Sequence, residues 1–243
     1  MPEAYQCKAL ARNLLAHLGL RAHRRADTLR RLLQRFEVDL VLDVGANAGQ
    51  FARQLRAMGY RHRIVSFEPL AQPFRKLRFN TATIKSWQAV QLALGDTDET
   101  RSIHVAGNSQ SSSFLEMLPQ HLAAAPKSAY VGTESVTVRR LDSVIDQYCG
   151  PRDRMFLKID TQGFEAAVLR GAPLTLPRCI GVQLEMSIAP LYQGELLLPE
   201  LIDKMAAHGF ALMHLKPGFF DPRTGELLQL DGLFFRRTVL SPP

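Results

Sequence analysis

The sequence predicts an α/β protein built on a mostly parallel sheet, and three observations predict it. Short continuous apolar runs such as "VDLVLDVG", "RIVSFEP" and "RMFLKID" have strand length without polar alternation, as strands buried on both faces should. Segments of helical spacing separate these runs. The runs end in Gly, Pro, Asp or Glu, so turn chemistry and acidic side chains gather at strand ends.

In order, residues 8–36 read as helix: Leu10, Leu14, Leu15 and Leu18 recur at helical spacing, then Leu29, Leu32, Leu33 and Phe36, with a break at Gly19. "VDLVLDVG" is the first strand, and "QFARQLRAMGY" is a helix closed by Gly59. "RIVSFEP" is the second strand, "QPFRKLRFNTA" a helix and "WQAVQLALGD" a third strand. Residues 96–140 are irregular and include the serine-rich loop "NSQSSSFLEM". "SVTVRRLDSVIDQY" gives a strand and a short helix. "RMFLKID", "GFEAAVLRGA", "CIGVQLEM" and "LLLPELIDKMAAHGF" continue the alternation. "ALMHLK" and "DGLFFRR", joined by "PGFFDPRTGE", predict a terminal antiparallel hairpin. The expected organisation is a basic helical extension over residues 1–37 and one catalytic-sized domain over 38–243.

Composition narrows the class. With 243 residues and 46% hydrophobic content the chain can bury one substantial core. No apolar run reaches membrane-spanning length, and no signal peptide is expected at the N-terminus, which points to the cytoplasm. Cys7, Cys149 and Cys179 are too scattered for a disulfide framework or a CxxC metal site. The net charge of +7 is uneven: residues 1–37 hold eight basic side chains against three acidic ones. Such a segment can lie on the anionic inner face of a membrane through residues 8–36, or pack its leucines on the domain. No aromatic-interleaved basic patch speaks for nucleic acid.

The first strand runs into "DVGANAGQ". A dinucleotide fingerprint needs glycine at the middle position, where Asn47 stands, and no Walker lysine follows. Asp43 at the strand end suits a cationic ligand group, and Gly45, Asn47 and Gly49 form the turn. Glu68, 19 residues beyond Gly49, stands where a carboxylate receives ribose hydroxyls. Asp96 closes the third strand, where it can accept from an adenine amino group. Amino acid, ribose and adenine together describe S-adenosylmethionine. At the fourth strand end Asp160 is the candidate base for deprotonating an acceptor, with Glu165 and Glu185 beside it. Either Asp160 acts directly, or Asp160 and Glu185 hold a hard cation such as Mg²⁺. Lys158 is expected to pair with a carboxylate, and Ser111, Ser112 and Ser113 to contact acceptor or cofactor. His214 reads as structural.

"VLDVGANAGQF", "FEP", "ALGD", "SSSF", "VRRLDSVI" and "FLKIDTQGFEAAVLRGA" stand in the order found in the FkbM-type S-adenosylmethionine-dependent methyltransferases, which the chain resembles over roughly residues 38–235. The resemblance implies a Rossmann-like class I methyltransferase fold and O-methylation of a sugar hydroxyl. Asp43, Gly45, Asn47, Gly49, Glu68 and Asp96 are then the cofactor contacts. The chain is similar, more narrowly, to mycobacterial enzymes that O-methylate deoxysugars, such as fucosyl or rhamnosyl units, of phenolic glycolipids. "TQGFE" departs from the commoner "VEGAE", with Gln162 in place of an acidic residue, which puts metal use in question. The alternatives are a non-catalytic S-adenosylmethionine-binding protein and a nucleic-acid methyltransferase.

Overall fold

The structure, a computed structural model, describes residues 22–237. Helix α1 (Ala22–Arg35) leads into β1 (Leu40–Val44), α2 (Gln50–Ala57), β2 (Arg63–Phe67), α3 (Ala71–Thr81) and β3 (Trp87–Val90). Then follow β4 (Ala93–Leu94), β5 (Glu99–Ala106), α4 (Pro119–Ala124), β6 (Tyr130–Arg139) and α5 (Leu141–Val144). The chain closes with β7 (Met155–Ile159), α6 (Glu165–Arg170), β8 (Cys179–Ser187), α7 (Leu198–Ala207), β9 (Phe210–Pro217) and β10 (Gln229–Arg236).

Seven strands form one sheet in the order β3-β2-β1-β7-β8-β10-β9. The first five are mutually parallel; β10 runs antiparallel to both β8 and β9. The expected terminal hairpin is thus present, with its second strand inserted next to β8. Strand order reverses at the β1/β7 pair, so the crevice of this sheet opens beyond the carboxyl ends of those two strands.

Alternation explains why both faces are apolar. Leu40, Leu42 and Val44 of β1 pack with Met155, Leu157 and Ile159 of β7 on one face. Val41 and Phe156 point to the other face, where Leu29, Leu32, Leu33 and Phe36 cover them. The Phe36 and Phe235 rings stack at 4.4 Å. Leu29, Leu32, Leu33 and Phe36 of the N-terminal segment are therefore part of the core. The expectations for residues 1–21, including Cys7, lie outside the described residues.

The predicted third strand is two strands. Pairing with β2 ends at Phe67↔Val90. The chain then leaves the sheet, and Ala93 and Leu94 pair with Val138 and Arg139 of β6. β5, which the sequence reading treats as irregular, completes a separate sheet in the order β4-β6-β5. Its outer face is wet and only Ile103 and Ala106 are buried, so it carries little apolar periodicity.

Candidate active site

The β1–α2 turn begins at Gly45, in the left-handed region at φ 72°. A Cβ there would lie 1.8 Å from the Asp160 carbonyl oxygen. This close approach brings the ends of β1 and β7 together. Gly45→Ala is expected to break this junction, lowering the denaturation midpoint and abolishing cofactor binding; a variant that melts and binds like the parent would contradict the role. Gly49, at φ 84°, has a different task. A Cβ there would meet Trp87 at 2.6 Å and Leu77 at 2.9 Å, so it packs the turn and does not face the crevice.

Asn47 also adopts positive φ, at 48°. Its backbone N–H donates to Glu68 Oε2 at 2.8 Å, and its side-chain amide donates to the Ser109 carbonyl at 3.1 Å. The turn is therefore tied both to the end of β2 and to the serine-rich loop. Glu68 Oε1 accepts from the Leu70 N–H at 2.9 Å.

One cavity lies over this junction. Gly45, Asn47, Glu68, Asp160, Gln162 and Glu185 line its polar side. Leu70, Leu92, Ile103 and Phe114 line its apolar side. Four of the residues predicted as cofactor contacts or base thus meet in one place, with Glu185. The apolar wall has no counterpart in the sequence reading; Leu92, in the kink between β3 and β4, and Phe114, after the serine run, are the signals that could have marked it.

Besides Gly49, three predicted site residues stand elsewhere. Asp96 pairs with Arg170 at 2.7 Å and lies off the cavity lining, because β4 carries it into the second sheet. Asp43 is wholly buried behind the turn. It sits opposite Ser66 and Lys158 in the register of the sheet, accepts from Ser66 Oγ at 2.9 Å and pairs with Lys158 Nζ at 3.2 Å. It supports the turn and does not reach the mouth of the crevice. Glu165 turns back on its own loop and accepts from the Thr161 N–H at 2.7 Å and the Thr161 hydroxyl at 3.1 Å. It is a positioning group, not a cavity group. His214 lies on β9, at the sheet edge and away from the cavity.

Lys158 organises the charges. Its ammonium lies 3.2 Å from Asp43 and 3.3 Å from Asp160, and donates to the Val44 and Gly45 carbonyls at 3.3 and 3.1 Å. Burial favours the neutral amine, but the two carboxylates outweigh it and raise the pKa. Desolvation at the cavity floor, then the charges of Asp160, Glu165 and Asp231, push Glu185 well above the usual carboxylate range. Glu185 thus tends to hold a proton beside an Asp160 held against Lys158.

Burial also raises Glu68 and Glu165 to about 7 from 4.5. A carboxyl whose folded pKa exceeds its unfolded one binds its proton more tightly when folded. Its contribution to stability is full below 4.5 and is lost as pH rises through about 7. The ligand-free protein is therefore expected to lose denaturation midpoint between about pH 5 and about pH 8. Glu165→Gln should flatten that loss; a slope untouched by the substitution would contradict the assignment.

The serine loop is packed rather than open. Ser113 Oγ donates to the Gln162 carbonyl at 2.6 Å, and Ser112 lines the cavity. Cys149 and Cys179 are buried free thiols, and burial pushes Cys179 up to about 12, far from reactivity.

Comparison with known proteins bears on this geometry. The chain is 25% identical over 170 residues to the 2-O-methyltransferase NoeI of Sinorhizobium fredii (strain NBRC 101917 / NGR234), covering 68% of this chain and 70% of that protein. Among solved structures it overlaps an rRNA methylase from Streptococcus thermophilus, with TM-score 0.47, 11% identity, and coverage of 88% of this chain and 96% of that one. It also overlaps Aeropyrum pernix fibrillarin in complex with natively bound S-adenosyl-L-methionine, with TM-score 0.43, 11% identity, and coverage of 80% and 66%. The strand order, not these distant overlaps, establishes the fold. The model of the methyltransferase FkbM domain matches residues 43–212, from Asp43 of β1 into β9. That match takes in the turn, both cavity walls and every carboxylate predicted for the site, and the chain belongs to the FkbM methyltransferase family.

Proposed function

We propose that this methyltransferase transfers the methyl group of S-adenosylmethionine to a hydroxyl oxygen of a sugar, with a deoxysugar of a glycolipid as the acceptor class. The observation that carries the reading is the placement of the Asp160 carboxylate at the carboxyl end of β7, in one cavity with the Gly45–Asn47 turn and Glu68. The residues fit the cofactor. Glu68 is fixed by two backbone N–H groups and keeps free lone pairs for ribose hydroxyls. Leu70, Leu92, Ile103 and Phe114 offer an apolar slot for a base. Bound there, the cofactor supplies an electrophilic methyl group on a sulfonium.

The chain's own residues supply the rest. Methyl transfer requires the acceptor oxygen about 3 Å from the methyl carbon and in line with the bond that breaks. Asp160 would take the hydroxyl proton as the acceptor oxygen gains the methyl group and the sulfonium sulfur leaves. Lys158 Nζ stands 3.3 Å from the Asp160 carboxylate, and the Asp160 side chain stays 34% exposed, open to an acceptor from the cavity side. The similarity to a 2-O-methyltransferase supports oxygen as the atom methylated. The sugar and its lipid rest on the family resemblance.

The test is transfer of label from methyl-labelled cofactor to three acceptors: a deoxysugar glycolipid, the same sugar without lipid, and RNA. The expected product is an alkali-stable ether on the sugar, with the glycolipid the better acceptor. Equal turnover with and without lipid would sink the glycolipid assignment. Label on RNA alone would replace the sugar reading.

A further inference from the structure

Gln162 occupies a strained backbone position at φ 56°, and three contacts hold it there. Ser113 Oγ donates to its carbonyl, Thr161 is fixed by Glu165, and Gly163 packs so closely on Tyr192 that a Cβ would lie 2.9 Å from the Tyr192 Cβ. The side chain consequently enters the gap between the ends of β7 and β8. Its amide nitrogen donates to Asp160 Oδ1 at 2.9 Å and to Glu185 Oε2 at 2.5 Å. Its amide oxygen accepts from the Tyr192 hydroxyl at 2.8 Å. The opposite amide orientation would set the amide oxygen against Asp160 Oδ1, an acceptor facing an acceptor, so the orientation with the NH₂ between the two carboxyl groups is the favoured one. Glu195 in turn accepts from the Leu191 and Tyr192 N–H groups, anchoring the tyrosine.

A hard divalent cation bridging Asp160 and Glu185 would take the same oxygens, at about 2.0–2.1 Å for Mg²⁺. The Gln162 NH₂ already stands between them, and a donor group cannot ligate a cation. Among the described residues no group of three or more His, Cys, Asp or Glu side chains is arranged to hold a metal ion. The residues do not fit Mg²⁺.

We propose that the Gln162 amide, oriented by Tyr192, takes the place of a bridging cation between Asp160 and Glu185, so that this chain transfers methyl groups without a divalent metal. Gln162 and Tyr192 are positioning residues, since they act through the two carboxyl groups. The proposal rests on the methyl-transfer reading for its activity arm only. With glutamate at 162, three carboxyl groups would converge and only a cation could hold them together.

Mn²⁺ binding to the cofactor-free protein, read by electron paramagnetic resonance, tests the site without any turnover. The wild type is expected to bind no stoichiometric Mn²⁺, and its methyl transfer is expected to be unchanged by chelator or added Mg²⁺. Gln162→Glu is expected to bind one Mn²⁺, lost on adding Asp160→Asn. Tyr192→Phe is expected to lower kcat about tenfold or more, by letting the amide turn, with KM for the cofactor unchanged. One Mn²⁺ in the wild type, removed by Asp160→Asn, would overturn the proposal, as would a chelator-induced loss restored by Mg²⁺. A folded Gln162→Glu that binds no Mn²⁺ would show that the amide does not fill a cation's place. An unchanged kcat in Tyr192→Phe would remove the tyrosine from it. Should Gln162→Glu not fold, the wild-type arms still decide. Absence of methyl transfer under every condition would count against the function and leave the Mn²⁺ result standing.

Discussion

Asp160→Asn is expected to lower kcat for methyl transfer by about 10³-fold, within the range typical of losing a general base. Cofactor affinity should change little. The substituted amide keeps the shape of the side chain at the cavity and still offers an oxygen to the Gln162 amide, which donates to Asp160 at 2.9 Å. What it loses is the ability to accept the acceptor's proton. Single-turnover rates with labelled cofactor, beside a cofactor titration, separate the two effects. Full activity with bound cofactor would remove Asp160 from the chemistry and leave Glu185 as the carboxyl group nearest to it. Equal loss of binding and rate would make Asp160 a cofactor contact.

The second large effect falls on stability. Lys158→Met is expected to cost about 3–5 kcal/mol, because it strands the fully buried Asp43 carboxylate without its cation. For a chain of this size that corresponds to a fall in Tm of roughly 10 °C. Asp43 would keep only its bond from Ser66, whose hydroxyl is itself held by the Trp87 indole N–H at 2.9 Å. Adding Asp43→Asn to Lys158→Met should return part of the loss, since a neutral amide costs less to bury than an unpaired charge. Chemical denaturation of the parent, the single variant and the double variant checks this. A double variant no more stable than the single one would mean that Lys158 acts through Asp160 and the two carbonyls, not through Asp43.

The parts of the fold that could be read from the sequence are those whose physics is local. Strands β1, β2, β7 and β8 are covered on both faces, so each appears as a largely apolar run without regular polar alternation. Residues 210–236 alternate around a Gly/Pro turn and form the antiparallel pair they predict. The second sheet was not legible. Its membership depends on where the chain turns after Val90, and its long-range pairing leaves only a weak trace in β5.

The same distinction governs the site. Gly45, Asn47, Glu68, Asp160 and Glu185 sit at ends of strands that remain in the main sheet, and they meet in the cavity. Asp96 lies off the cavity lining, paired with Arg170, because its strand does not remain in the main sheet. Asp43 was placed on the right strand end, but the register with Ser66 and Lys158 turns it inward. Glu165 stands in the first turn of α6, where a carboxylate finds the loop's N–H groups before it finds the cavity. Gln162 drew notice only as a missing acid; its worth as a double donor appears once β7 and β8 bring two carboxyl groups to it.

The central claim is that the turn after β1 holds S-adenosylmethionine. Calorimetric titration of the purified protein with S-adenosylmethionine and, separately, with NAD tests it most directly, using Glu68→Ala as the control and a thermal melt to confirm that the variant is folded. One bound S-adenosylmethionine per chain is expected, with binding weakened or lost in Glu68→Ala and no comparable binding of NAD. Absence of S-adenosylmethionine binding, a preference for NAD, or full affinity in a folded Glu68→Ala would contradict it.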